Sequence, residues 1–421
     1  MDHIGGVVPR GCGPASRSPV PGLSTVPALS TIADLSPVLS LSTVPDLVLR
    51  QLVQAQQQTQ PGVIVLALDG VGQEWAVPAL PSARLRSLRS TFPSTSTTAW
   101  LTGITGAGPG EHLVVGAEFA LPTSPDSSTG NSEILLDVAH GRWRTWHRHG
   151  SLRLGAGEFD NAVGRSTTMF ERARREGIPA YTLAQELDAL SGPWSSALLR
   201  GSRRPARRAR AGAGAVSADP EAVAASAVRR AHELLAAAPE RPLLLWVYLD
   251  FDTYLHRHGP GPRLTRALRT LDAVAARWAD AGWTVVAHAD HGLVPVTYDE
   301  EARLRWEGLD TPSRCRLPSG GAGRVRWLHP RPGTERRLLD EARAVLAPYA
   351  AVHTPDELAR AGRLPAVPEV LARLGQVVAV GTSPAFPVPD PRVRYEHGGW
   401  SEQELCVPLA IWSSNSEGEQ P

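Results

Sequence analysis

The chain has 421 residues, 42% of them apolar and 20% charged, enough for a large core and for two domains. A formal net charge of +1 gives no global argument for binding nucleic acid or a membrane, so no specific nucleic-acid or membrane partner is expected. All 43 basic residues are arginine, which excludes a Schiff-base lysine and a Walker A phosphate loop, whose lysine meets the phosphates.

Residues 1–45 repeat Pro/Ser/Leu phrases, as in Leu23-Ser24-Thr25-Val26-Pro27 and Leu41-Ser42-Thr43-Val44-Pro45, and predict a flexible arm because proline blocks helix continuation. A helix from Asp46 to Gln57 then leads into an apolar strand, Val63 to Leu68, that ends in Asp69. The segment from Phe92-Pro93-Ser94-Thr95-Ser96 to Thr105-Gly106 offers several hydroxyls just before a helical stretch. Helix N-termini attract anions because their first amides lack intrahelical partners, so a phosphate would be favoured there.

Farther along, Arg142 to His149 is rich in Trp, His and Arg. It reads as a packed surface hairpin or, alternatively, as a cover over a substrate phosphate. Helices are predicted over Thr168 to Glu176 and Glu221 to Ala238, separated by an exposed basic loop, Arg203 to Arg210. Leu243 to Leu249 is a second apolar strand, ending in Asp250 and Asp252, and Trp283 to Ala287 a third, leading to Asp290. Residues 46–299 therefore read as the first part of an α/β core. Residues 300–386 read as a cap-like insertion, with a glycine-rich turn at Gly320 to Gly323 and helices near Thr334 to Leu346 and Pro368 to Leu374. The core returns over 387–412 with His397, and the polar 413–421 segment reads as a disordered tail.

Short runs of Val, Ile and Leu suit strands buried on both faces, and open α/β sheets bind ligands at the carboxyl ends of their strands. Asp69, Asp252 and Asp290 are thereby expected at one edge, joined by His256, His291 and His397. Mixed Asp and His donors suit two divalent ions, zinc first and manganese second. The bland alternatives are real: an aspartate ending a strand is often a turn former or helix cap, and an Asp-x-x-x-His pair is also a surface ion pair. Asp250 and His258 are read as solvent-facing or outer neighbours of the site.

The order of five blocks resembles the alkaline phosphatase superfamily, and most closely its type I phosphodiesterase/nucleotide pyrophosphatase branch. The blocks are Leu68-Asp69-Gly70, Phe92 through Gly106, Pro109-Gly110-Glu111-His112, Asp252 through Pro260, and Ala289-Asp290-His291-Gly292 with the later His397-Gly398-Gly399. The resemblance implies a three-layer α/β/α fold with a mainly parallel central sheet and an inserted cap. It also implies one ion on Asp69, the nucleophile, Asp290 and His291, and another on Asp252, His256 and His397. The family's nucleophile lies ten residues before the glycine of the Thr-Gly pair, which points to Ser96, with Thr95 as the neighbouring candidate. The implied activity is hydrolysis of a small-molecule phosphate ester, a phosphodiester or pyrophosphate, through a covalent phospho-enzyme.

Three positions depart from the family pattern: Leu255 and Leu113 replace glycines, and Ala117 replaces an asparagine that helps hold the phosphoryl oxygen. A phosphomonoesterase of the same superfamily, or a catalytically silent binding protein retaining the fold, are the competing functions. Cys12, Cys315 and Cys406 form no close motif, which argues against a disulfide framework. With neither a long apolar span nor a signal-peptide pattern, the cytoplasm is the default location.

Overall fold

The computed structural model describes residues 39–123, 129–152, 156–190, 192–205, 219–238, 240–387 and 390–414, without the side chains of 156–159. The expected arm up to residue 38, the basic cluster from 206 to 210 and the tail from 415 lie outside the described residues. The architecture is mixed α/β. A seven-stranded sheet runs in the order Leu39–Ser40, Arg84–Arg89, Cys406–Trp412, Thr284–His288, Gly62–Asp69, Leu243–Asp250, Ala180–Leu183. Cys406–Trp412 is antiparallel to both neighbours, and the other pairs are parallel.

All eight residues of Gly62–Asp69 are buried, as a strand covered on both faces requires. Helices supply the cover. Val44–Gln57 packs on Gly62–Asp69 and presents Val44, Val48, Leu52 and Ala55, a spacing that keeps one helical face apolar. It begins two residues earlier than the sequence predicts because Pro45 is tolerated in a first turn, where its missing amide has no partner to lose. Pro220–Ala237 packs on Leu243–Asp250, and Pro262–Asp280 on Thr284–His288.

Register fixes the edge that matters. Asp69 pairs with Asp250, and Ala67 pairs with His288, so the aspartates that end the three parallel strands emerge together at their carboxyl ends. A two-stranded ladder of Val294–Pro295 with Tyr395–Glu396 then returns His397 to the same edge.

The second sheet has eight antiparallel strands and draws them from two stretches of chain, Glu118–Ser151 and Cys315–Gly381. The segment 300–386 therefore supplies only half of it. Arg142–Arg144 and His149–Ser151 form an edge hairpin of this sheet, with Trp143 buried and the Trp146 indole donating to the Cys315 carbonyl at 3.0 Å. Gly320 and Gly321, predicted as a turn, are strand residues. A Cβ on Gly320 would stand 2.4 Å from the Trp327 indole nitrogen and 2.6 Å from the Glu118 carbonyl oxygen, so glycine is what lets the two strands and the indole close up.

Gly320→Ala is expected to destabilise the protein by about 1–3 kcal/mol through overpacking. Urea denaturation of the two proteins checks this, and an unchanged midpoint would contradict it.

Candidate metal centre

The segment that precedes the Ser96–Thr105 helix is stitched to the His397 loop. The Ser94 hydroxyl donates to the Gly399 carbonyl at 2.8 Å and accepts the Gly398 amide at 3.0 Å. Thr95 is the helix N-cap in extended backbone, and Ser96 is the first helical residue. The Ser96 hydroxyl therefore turns toward the sheet edge, 3.0 Å from His291 Nε2 and within 3.3 Å of Asp69 Oδ1, to which it donates. The Thr95 hydroxyl faces Thr97 Oγ1 at 3.5 Å instead. Of the two hydroxyls weighed from sequence, Ser96 is the one brought to the carboxylates.

Asp69, Asp290 and His291 form the first group, able to place one donor atom each within 4.8 Å of the others. Asp290 Oδ1 accepts the Gly70 amide at 3.0 Å, while its buried Oδ2 has no hydrogen bond and stands 3.3 Å from His291 Nε2. The His291 ring lies against that of His397, with centroids 3.7 Å apart. His397 Nδ1 is held by the Ser94 carbonyl at 2.7 Å, which leaves its Nε2 facing inward, 4.0 Å from Asp252 Oδ2. His256 repeats the device: Nδ1 donates to the Tyr395 carbonyl at 2.8 Å, and Nε2 lies 3.0 Å from Asp252 Oδ2. Outer hydrogen bonds of this kind fix the tautomer and orientation of an imidazole that binds a metal.

The electrostatics call for cations. Burial and then the neighbouring Asp290, Asp252 and Asp250 carboxylates raise Asp69 well above the ordinary carboxylate range. Burial also raises Asp252, but His256, joined by His397 and His291, outweighs it and holds the carboxyl below its usual value; burial lowers His256, yet Asp252 and Glu396 push it up to about 10. His397 is driven well below its ordinary value by burial and by His291 beside it, so it stands as a neutral imidazole. Among the described residues no arginine pairs with Asp69, Asp252 or Asp290. Orphaned oxygens on Asp252 and Asp290, the neutral His397 imidazole and excess carboxylates together fit divalent ions.

Two further groups belong to the site and carry no spacing signal. The Tyr248 hydroxyl donates to Asp69 Oδ2 in a short hydrogen bond, turning Oδ1 toward Ser96; its only sequence hint is a tyrosine inside a buried strand, where its hydroxyl needs a partner. Asp252, His291 and His397 form a second donor group, and Glu396 joins His256 and His397 in a third. By contrast, Asp250 caps the next helix through the Thr253 amide and hydroxyl, at 3.0 and 2.9 Å, and His258 stacks on Tyr254.

The positions that depart from the family pattern are accommodated locally. Leu113 adopts a left-handed backbone, φ 61°, and its carbonyl accepts a short hydrogen bond from the buried Arg373 guanidinium. His112 is fully buried and clips this loop to the helix through Thr102 Oγ1 at 3.0 Å, while burial pushes its pKa down to about 3. Leu255 is buried as well, filling core volume where a glycine would leave none filled.

The family model for type I phosphodiesterase / nucleotide pyrophosphatase matches residues 82–380, most of the chain. The chain belongs to this family. The match takes in Ser96, Asp252, His256, Asp290 and His291, whereas Asp69 and His397 lie outside it and reach the site through the fold. Among solved structures, murine ectonucleotide pyrophosphatase / phosphodiesterase 5 superposes with a TM-score of 0.55 at 13% identity, over 83% of this chain and 87% of that one. The human protein of the same name gives 0.55 and 13%, over 83% and 87%. Phosphonoacetate hydrolase from Sinorhizobium meliloti 1021, in complex with phosphonoacetate, gives 0.53 and 19%, over 85% and 91%. At these identities the likeness concerns the fold alone. No curated protein matches the sequence.

Tyr248→Phe removes one hydroxyl from behind Asp69. It is expected to weaken binding of one divalent ion by roughly 10- to 100-fold while leaving the melting temperature near wild type. Titration with a chelating dye in competition measures this, and unchanged affinity would remove Tyr248 from the site.

Proposed function

We propose that this hydrolase cleaves a small-molecule phosphate ester, a phosphodiester or pyrophosphate, with Ser96 as its nucleophile. The observation that carries the reading is the Ser96 hydroxyl, at the N-terminus of a ten-residue helix and within hydrogen-bond reach of both Asp69 and His291. Asp69, Ser96, Asp290 and His291 would hold one divalent ion and Asp252, His256 and His397 the other, zinc or manganese by donor type. When bound, such ions favour the alkoxide form of a coordinated alcohol and offset charge on phosphoryl oxygens.

The chain's own groups supply the remainder. The helix N-terminus directs its first-turn amides at the phosphoryl oxygens. Ser96 Oγ forms a bond to phosphorus as the bond from phosphorus to the leaving oxygen breaks; the serine proton passes to solvent, and the leaving oxygen takes one. Water then attacks the phosphoserine, restoring Ser96 and releasing the phosphate product. The Ser94 bonds hold the nucleophile in register with His397 throughout.

The charge of the site favours a diester over a monoester. No arginine pairs with the site carboxylates among the described residues, and Ala117 offers no side-chain donor, so little beyond the ions meets the second charge of a monoester dianion. The antiparallel sheet would act as the cap that shapes the leaving-group side, as loops and insertions on a rigid sheet often do. No helix among the described residues is long and apolar enough to cross a membrane; Cys315 and Cys406 are free thiols, in keeping with a cytoplasmic location.

Hydrolysis of bis-p-nitrophenyl phosphate and p-nitrophenyl phosphate, with and without added zinc or manganese, tests the reading. Metal-dependent turnover with diester preference is expected, and monoester preference would transfer the chain to the phosphatase alternative. Ser96→Ala should lower turnover at least about 10³-fold, whereas Thr95→Ala keeps most of it; the reverse result would move the nucleophile by one residue. Asp252→Ala is expected to lose one bound ion and nearly all turnover, and full activity in that variant would dismantle the ligand set.

A further inference from the structure

Glu396 lies beside an assigned histidine, yet nothing in the two-ion scheme uses it. Its side chain is 13% exposed, and its ionic neighbours within 4 Å are two imidazoles, His256 Nδ1 at 3.6 Å and His397 Nε2 at 3.8 Å. The His397 amide pins Oε1 at 3.0 Å. Gly323, in left-handed backbone with φ 51°, backs the carboxylate; a Cβ there would lie 2.5 Å from Oε1, so the chain leaves the room this group occupies. At His256 Oε1 faces Nδ1, the nitrogen held by the Tyr395 carbonyl, so the decisive point is the nitrogen it faces at His397. His397 Nδ1 is already committed to the Ser94 carbonyl, so Nε2 is the atom free to bind a metal, and the carboxylate stands on that side. His256, Glu396 and His397 can each bring one donor atom within 4.8 Å of the others. A carboxylate this buried needs a cation close by, and beyond His256 no cationic side chain among the described residues supplies one.

We propose that Glu396 is a fourth protein ligand of the ion held by Asp252, His256 and His397. This rests on the two-ion reading above. Two carboxylates and two imidazoles make a harder, more anionic donor set than one carboxylate and two imidazoles. It favours manganese more than a strictly tetrahedral zinc site would, and gives the second ion four protein ligands, as many as the first.

Cobalt(II) reports coordination number through its visible absorption, so apoprotein titrated with cobalt and, separately, with manganese provides the test. Wild type should bind two ions per chain. Glu396→Gln, which keeps the size of the side chain and an acceptor for the His397 amide, should weaken one ion at least about tenfold and shift the cobalt spectrum toward the intense tetrahedral form. Glu396→Asp keeps the charge and should retain much of the manganese affinity, and a thermal melt of each variant separates loss of a ligand from loss of fold. Wild-type affinities with an unchanged spectrum in Glu396→Gln would overturn the proposal and leave the two-ion reading standing. Weakened binding with an unchanged spectrum would overturn direct ligation, since Glu396 would then act only by orienting His256 and His397. Wild type that binds no ion would overturn both readings together.

Discussion

Asp69, Asp252 and Asp290 converge in a space with little access to water, and no arginine answers them among the described residues. Carboxylates so placed repel one another and lose hydration, so the arrangement is tolerable only with protons or cations between them. Without ions, the site shares protons unevenly: Asp69 is pushed toward its neutral form, while Asp252 and His256 stand as an ion pair. Much of the local structure serves this concentration of charge. The parallel register brings the aspartates to one edge, and the Val294–Pro295 ladder with Tyr395–Glu396 returns a histidine from far along the chain.

Positioning is then a matter of backbone hydrogen bonds. The Ser94 carbonyl orients His397, the Tyr395 carbonyl orients His256, and the Gly70 amide turns Asp290. Because Ser94 also grips the Gly398 and Gly399 backbone, the segment that carries Ser96 is tied to the His397 loop. Ser96 inherits its place from that tie and from its role as first residue of a helix. Reaction geometry of this kind is sensitive to displacements of about an ångström, which explains why so many otherwise ordinary polar groups are spent on holding loops.

The strands that carry the ligands were legible in the sequence because each is a short apolar run closed by an aspartate. The ordered histidines made the metal reading available before any geometry. What distinguishes Ser96 from Thr95 is visible only in three dimensions, since both lie in a run of hydroxyls and the helix start makes one a cap and the other a first residue. Tyr248 and Glu396 were hidden for a different reason: each acts across strands, through partners distant in sequence or through a turn of backbone that no spacing encodes. The second sheet was also only half visible. Its strands come from both sides of the Asp252–His291 stretch, and Gly320 and Gly321 look like a turn until they are seen paired with Trp327 and Arg326.

The central claim is that six Asp and His side chains, with Ser96, form a seat for two divalent ions at the carboxyl edge of the parallel sheet. A crystal structure of the protein loaded with zinc or manganese, with anomalous data collected at the metal edge, tests it most directly. The account predicts two anomalous peaks, one among Asp69, Ser96, Asp290 and His291, the other among Asp252, His256 and His397. A single peak elsewhere, or none in fully loaded crystals, would contradict it.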